Sequence, residues 1–389
     1  MMKNVNELIN NIDCCGCEVC ASVCPKNAIY FVANETGFIY PKINDALCVK
    51  CGLCSTKCPV FNQNKTSCNK TIICGYSLDE ALVQKSSSGG FFSLIARWFL
   101  NNGGIVFGVS WDDDFFGTKH VSVKSNEELD KIIGSKYFQS KKNNVYSEVL
   151  SFLAEGKKVL FSGTPCEIAA LDSVVPAKFK DNLFTIDLVC HGPSTPKALF
   201  EYISFMELKY HSDIDYLNMR VPIGNWIPQH FLIRFKNGKS RLDRLYDTQI
   251  GDAVRIIQRP SCYNCSFCGD GRKADITLGD YHGAKETDSF YHSSGVSIAI
   301  SHSLKGEQMI GVLQSSNAYV EDCSYERIVK HNPRIEKPWP PLPEYDAFLS
   351  SFQKRGLFYA SKKTISLKRK IFRKLPLKTR KSIERLWRK

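Results

Sequence analysis

The sequence predicts two structural units of different class: a small, cysteine-dense α+β unit over residues 1–66 and a mixed α/β unit over 67–345, with a basic amphipathic tail at 346–389. Three observations carry this division. Two cysteine runs of identical spacing stand close together near the start of the chain. Beyond them, short strand-like runs alternate with helical patterns. Two of those strand-like runs end in cysteine-bearing loops at matching places.

Composition sets the limits. At 389 residues the chain is long enough for two or three domains of the usual ~100–200 residues, and 43 % apolar content fills real cores. The opening MMKNVNELINNID lacks the apolar run and small-residue cleavage site of a secretory leader, so the expected location is cytoplasmic. Thiols stay reduced there, and seventeen cysteines then point to metal ligation rather than to a disulfide framework. The net charge of +13 is concentrated in the tail, where residues 354–389 hold fifteen Lys/Arg against one acid, Glu384. A nearly neutral body excludes a basic nucleic-acid-binding fold and suggests a tethering tail. The longest apolar stretch, FFSLIARWFL at 91–100, is broken by Arg97 and is too short to span a bilayer.

The first unit rests on its spacing. Cys14, Cys17, Cys20 and Cys24 follow C-x2-C-x2-C-x3-C-P, and Cys48, Cys51, Cys54 and Cys58 with Pro59 repeat it without deviation. Three thiolates three residues apart hold three irons of one cubane, while the fourth cysteine of each run reaches the other cluster. The expected ligands are therefore Cys14, Cys17, Cys20 and Cys58 for one 4Fe–4S cluster, and Cys48, Cys51, Cys54 and Cys24 for a second. Zinc sites usually show C-x2-C pairs instead of this doubled run. Cys15 is surplus. Residues 1–66 resemble a bacterial two-cluster ferredoxin domain.

In the second unit, TIICGYSL (71–78) is strand-like, and KSSSGG (85–90) is a loop that opens onto the apolar helix FFSLIARWF. Strands IVFGVS (105–110) and KHVSVK (119–124) flank an acidic turn, Trp111 to Gly117, and a short helix is expected over 127–133. Val145, Val149 and Phe152 share one helical face, with Gly156 as the stop signal. FLIRFKNGKSRL (231–242) carries Asn-Gly between strand-like runs, which signals a hairpin.

The two cysteine loops follow strands KVLFS (158–162) and FTIDLV (184–189). The first runs into Gly163-Thr164-Pro165-Cys166 and a helix; the second runs into Cys190-His191-Gly192-Pro193, with Thr195-Pro196 as N-cap and first residue of another helix. Their separation fits one βαβ crossover, which brings both cysteines to the carboxyl edge of a parallel sheet, where open α/β sheets bind ligands. The segment Arg259-Pro260-Ser261-Cys262-Tyr263-Asn264-Cys265-Ser266-Phe267-Cys268 supplies a further C-x2-C. Four ligands suit either a third 4Fe–4S cluster or a structural zinc, and spacing alone leaves both open. Cys166 and Cys190 also suit a reading as small buried residues.

SSSGGFFSLIARWFLNNGGIVFGV, GSKYFQS (134–140), GTPCEIAAL (163–171), VCHGPSTP (189–196), RPSCYNC and RKADITLGDYHG (272–283) together resemble the coenzyme F420 hydrogenase/dehydrogenase beta-subunit family. The resemblance covers about residues 70–345. It implies a flavin, FAD rather than FMN, beside a 4Fe–4S cluster held by Cys166, Cys190, Cys262 and Cys265, with Cys268 outside the pattern. Ser88, Gly89 and Gly90 ahead of a helix offer backbone N–H groups to a pyrophosphate, although without the resemblance they read as a linker. Gly134, Ser135, Lys136 and Tyr137 are further flavin-binding candidates. Lys136 suits stabilisation of negative charge on a reduced flavin, or is a solvated lysine. Thr164 and His191 flank cluster ligands, with His191 either a donor near the flavin or a structural cap.

Clusters of this kind pass single electrons and a flavin exchanges hydride, so the resemblance implies an oxidoreductase between a redox protein and a small-molecule hydride partner. In archaeal members that partner is a 5-deazaflavin, and bacterial relatives extend to other pathways, surface-polysaccharide synthesis among them. A non-catalytic electron-transfer subunit is the alternative. In the tail, Leu367, Ile371 and Leu375 recur among basic residues before Pro376, and Ile383, Leu386 and Trp387 follow. Such a segment suits peripheral contact with an anionic membrane surface or docking to a partner. Anaerobically purified protein is expected to hold about 12 irons and about 12 acid-labile sulfides per chain; elemental analysis returning about 8 irons and one zinc eliminates the third cluster.

Overall fold

In the computed structural model, which describes residues 4–8, 12–62, 71–375 and 379–380, each cysteine run forms a tight loop and one turn of helix, Val19–Ser22 or Leu53–Thr56. The loops share one backbone solution. Gly16 and Lys50 hold equivalent places and both have positive φ, as do Glu18 and Gly52 two residues on. Runs of this kind make concave nests of N–H groups, suited to anionic centres. Between them, β1 (Ile29–Ala33) and β2 (Ile39–Ile43) pair as an antiparallel hairpin.

The body is built on strands β3 (Ile72–Ser77), β4 (Ile105–Trp111), β5 (Thr118–Val123), β6 (Val159–Gly163), β7 (Leu183–Leu188), β8 (Ile214–Ile223), β9 (Asn225–Phe235), β10 (Ser240–Arg244), β11 (Ile276–Asp280), β12 (Ser297–Ser301) and β13 (Ala318–Asp322). Eight of them form one mixed sheet in the order β13-β3-β12-β11-β7-β6-β4-β5. Its centre, β4, β6, β7 and β11, is parallel, and the outer pairs are antiparallel. β6 and β7 pair directly, as the spacing of the two cysteine loops predicts. The expected strands at 71–78, 105–110, 119–124, 158–162 and 184–189 and the hairpin across Asn237-Gly238 are all present within a residue or two at their ends. The helix expected over 127–133 is a 3-10 segment, Asn126–Lys131.

Central strands buried on both faces read as continuous apolar runs. In β6, Leu160 packs towards Leu94, Ile95 and Phe99 of helix Phe91–Asn101, while Val159 and Phe161 pack towards Val145, Val149 and Leu153 of helix Val145–Ala154. Helices thus cover both faces. A separate antiparallel sheet, β10-β9-β8, packs with helices Pro196–Tyr210, Gln249–Ile256 and Tyr345–Thr364 around a core that also takes in Phe38 and Tyr40 from the cysteine-rich unit. The motif at 272–280 pins β7 to β11: Arg272 pairs with the fully buried Asp187, and Asp275 accepts from the Thr185 amide and hydroxyl.

The tail is more engaged than a free tether. Arg373 of helix Leu367–Lys374 pairs with buried Asp252, Arg369 and Arg373 donate to the Tyr246 carbonyl, and Arg380 pairs with Asp247. Leu367 and Ile371 stay exposed; Ile383, Leu386 and Trp387 lie outside the described residues. No helix among the described residues is long and apolar enough to cross a membrane.

Gly89 shows how tightly the 85–90 loop sits on the sheet. A Cβ there would stand 2.4 Å from the Gly75 carbonyl oxygen and 2.8 Å from the Ser297 amide nitrogen, both backbone atoms that cannot step aside. Gly89→Val is expected to destabilise the body by about 2 kcal/mol, read as a lowered unfolding temperature under anaerobic conditions; an unchanged transition contradicts this packing.

Candidate functional site

The first four expected ligands come together. Cys20 lies within electrostatic reach of Cys14 and Cys58, and Cys17 within reach of Cys20 and Cys58. All four are buried. Burial pushes the Cys58 thiol up to about 11, with Cys14 and Cys54 adding to the effect, and a bound cation would favour its thiolate. Cys24, Cys48, Cys51 and Cys54 line one cleft together with Pro25, Lys50 and Gly52. Cys58 thus lies near the first group and Cys24 in the cleft of the second. Amide groups point at two sulfurs of the second group, Val5 N to Cys54 Sγ and Ala28 N to Cys24 Sγ, both at 3.3 Å.

The third group assembles at the carboxyl edge of the parallel strands. Cys166 follows β6 and Cys190 follows β7, and both lie within electrostatic reach of Cys262, which also feels Cys265. Gly192 makes room for this: with φ at +91°, its absent Cβ would stand 3.0 Å from Cys262 Cβ. Its amide donates to Cys190 Sγ at 3.3 Å. Cys268 turns its thiol to the Cys265 carbonyl. Cys15, surplus in the sequence, places its thiol between Cys17 and Cys166. Among the described residues no three ligand side chains converge on a bare metal-ion site. The all-thiolate donor sets suit iron–sulfur clusters, and in the third group a zinc ion equally well.

Behind Cys166 lies a buried charge group. Thr164 caps helix Pro165–Val174 in a capping box with Glu167, and its hydroxyl lies 3.3 Å from Cys166 Sγ. Burial pushes the Glu167 carboxyl up, but Lys142 and then His120 outweigh it and hold it down to about 2. Lys142 Nζ lies 2.5 Å from Glu167 Oε1, and both side chains are under one-tenth exposed.

The flavin candidates divide. Ser87 Oγ accepts from the Ser135 amide at 2.7 Å, so the 85–90 loop and Gly134–Tyr137 meet. Ser88 donates to the Val296 carbonyl, Gly89 faces the sheet, and Gly90, with φ at +88°, starts the helix. Lys136 turns its ammonium back onto the carbonyls of Lys131, Ile133 and Gly134. Burial pulls its pKa down, yet three carbonyl acceptors favour the proton. His191 is exposed to solvent beside Cys190, with Arg334 and His282 near its ring.

The residues that sequence reasoning missed stand beside it. Tyr137 adjoins Arg220, whose Nη1 lies 2.6 Å from Asp280 Oδ2 at the end of β11. Trp226 stacks on His282 at 5.3 Å, and the Arg220 guanidinium lies over the Trp226 ring. Arg220 is 8 % exposed and its Nη2 has no partner among the described residues. A buried, unpaired donor among planar rings, at the sheet edge where ligands bind, fits an anionic planar group such as a flavin. Asp280 and His282 belong to the motif DYHG; nothing in sequence joins them to Arg220. A larger cavity of about 480 Å³, lined by Lys85, Arg97, Asn126 and Asp130, holds none of these residues or cysteines.

A cysteine-lined sheet edge preceded by a doubled four-cysteine unit defines an iron–sulfur protein of the oxidoreductase class. Residues 156–323 match the model for the carboxyl-terminal part of the coenzyme F420 hydrogenase/dehydrogenase beta subunit, and residues 13–62 that of the 4Fe–4S dicluster domain. The chain thus carries a carboxyl-terminal region of the coenzyme F420 hydrogenase/dehydrogenase beta subunit behind an N-terminal 4Fe–4S dicluster domain. Ketoisovalerate oxidoreductase subunit VorC of Methanothermobacter marburgensis is 35 % identical over 63 residues, 16 % of this chain and 80 % of that protein. An uncharacterized protein of Methanocaldococcus jannaschii is 22 % identical over 313 residues, 72 % of this chain and 83 % of its own length. Among solved structures, a chain of the F420-reducing NiFe hydrogenase complex of Methanosarcina barkeri aligns with a TM-score of 0.47 at 18 % identity, covering 77 % of this chain and 91 % of that one.

The Lys142–Glu167 pair gives a direct test of the buried charge group. Glu167→Gln leaves a buried ammonium without its counter-charge and is expected to cost about 3 kcal/mol, measured as a lower denaturant midpoint. Adding Lys142→Met is expected to recover much of the loss; no recovery contradicts the pairing.

Proposed function

We propose that the chain is an iron–sulfur flavoprotein oxidoreductase that carries electrons between a redox protein and a small-molecule hydride partner. The observation that carries this reading is the position of the Cys166, Cys190, Cys262 and Cys265 group. It lies between the dicluster unit, whose Cys14 carbonyl accepts from the Ser261 hydroxyl at 3.1 Å, and the Tyr137–Arg220–Asp280–His282 cluster. In this reading the three cysteine groups hold three 4Fe–4S clusters, and FAD lies at the sheet edge. The clusters supply one-electron transfer and the flavin supplies hydride exchange.

The residues divide the work. Cys51 is exposed and its group opens to the surface, which suits it as the contact with a redox protein. The first group is buried behind it. Arg220 holds an anionic oxygen through its unpaired Nη2 and is itself oriented by Asp280. Trp226 and His282 present flat surfaces, and exposed His191 is a hydrogen-bonding group for the incoming substrate. Ser87 and Ser135 tie the two loops that border this cluster.

The experiment is anaerobic cofactor release followed by reduction. FAD is expected in the extract, with FMN the less expected result. Flavin bleaching and cluster reduction are then followed after mixing with reduced deazaflavin, with NADH and with a low-potential reduced ferredoxin. Bleaching by deazaflavin alone assigns the 5-deazaflavin as hydride partner. Response to ferredoxin alone assigns a reductase acting on another metabolite. Absence of any flavin after reconstitution leaves the non-catalytic electron-transfer subunit instead.

A further inference from the structure

Arg259 has no exposed surface and lies where the dicluster unit meets the third cysteine group. Its Nε donates to the Cys14 carbonyl at 2.5 Å, Nη1 to Gln139 Oε1 at 3.0 Å and Nη2 to the Ile39 carbonyl at 2.9 Å. The guanidinium lies 4.2 Å from the Tyr40 ring centroid and 5.7 Å from that of Phe38. All of these partners are neutral. Among the described residues no carboxylate stands within ion-pair distance; Glu18, which feels the charge from farther off, accepts from the Lys142 amide instead.

The seat is built for this side chain. A Cβ on Gly16 would stand 2.7 Å from Arg259 Nη1 and 2.3 Å from Gln139 Nε2, so the loop that carries Cys14 and Cys17 is shaped to admit it. Arg259 also stands three residues before Cys262, and its charge acts on that thiol. A cation taken wholly out of water is stable only when paired, and neutral acceptors do not supply the missing charge. Two anionic centres, one on each side, do.

We propose that Arg259 is the shared counter-cation of the first and third clusters and sets the reduction potentials of both, while the second cluster is indifferent to it. The proposal rests on the three-cluster reading above. Each one-electron reduction adds a negative charge beside a buried guanidinium, where low polarity leaves the attraction strong, so Arg259 makes both clusters easier to reduce. It also offsets the repulsion between two reduced clusters at the seam. The second group lies beyond the first, around Cys48, Cys51 and Cys54, and serves as an internal control.

The test is potentiometric titration of the full-length, anaerobically reconstituted chain, followed by electron paramagnetic resonance. Arg259→Gln is expected to lower the potentials of the first and third clusters and leave the second in place. Arg259→Lys, which keeps the charge but loses the fork, is expected to stay near wild type. Where Arg259→Gln fails to assemble, Gln139→Glu puts a carboxylate against Nη1 and is expected to lower the same two potentials with the arginine retained. Iron and sulfide counts on the wild type separate the two ideas. A chain with two clusters only fails the three-cluster reading and the shared role with it. Three clusters whose potentials ignore these variants, or all shift equally, overturn the role of Arg259 alone.

Discussion

One buried guanidinium joins the two units of this chain. Arg259 binds the Cys14 and Ile39 carbonyls on one side and the Gln139 amide on the other, and unlike buried Lys142, which pairs with Glu167, it does so with neutral partners only. Around it, Tyr146 donates to the Cys17 carbonyl, the Lys142 amide donates to Glu18, Thr195 donates to the Thr36 carbonyl and Lys57 exchanges bonds with Ser173. The cysteine-rich unit is therefore an integral wall of the body and not a bead on a linker. The seam fixes the distance between the dicluster unit and the Cys166, Cys190, Cys262 and Cys265 group.

The parallel centre of the sheet supplies the second constraint. Strands β6, β7 and β11 end on the same side, so Cys166, Cys190 and Asp280 share one edge although 114 positions separate the first from the last. Arg272, Asp187, Asp275 and Thr185 hold that edge in register from within the sheet. The polar cluster reaches it from another direction: Arg220 and Trp226 come from β8 and β9 of the smaller sheet. The site thus lies where two sheets meet, a common setting for cofactors in α/β proteins.

What was legible in the sequence follows from this. Ligands set by spacing along the chain could be read, because three thiols in seven residues leave few geometries. Cys166 and Cys190 could be read because the ends of adjacent parallel strands coincide. Arg220 and Trp226 could not, since only packing of one sheet on another brings them to Asp280. Two residues looked like something else. Gly89 has the surroundings of a phosphate loop, yet its missing side chain is filled by backbone of β3 and β12. Lys136 is expected beside a reduced flavin or in solvent, yet its flexible stem folds back to three carbonyls.

Chain order gives the seam a last meaning. Arg259 follows the Cys14 carbonyl it holds by 245 positions, so during synthesis both four-cysteine runs leave the ribosome long before the residue that seals them exists. In the closed fold Cys14, Cys17, Cys20 and Cys58 are all buried, whereas Cys51 is not. The inner thiols are thus enclosed only by sequence that follows them at a great distance, while Cys51 stays at the surface.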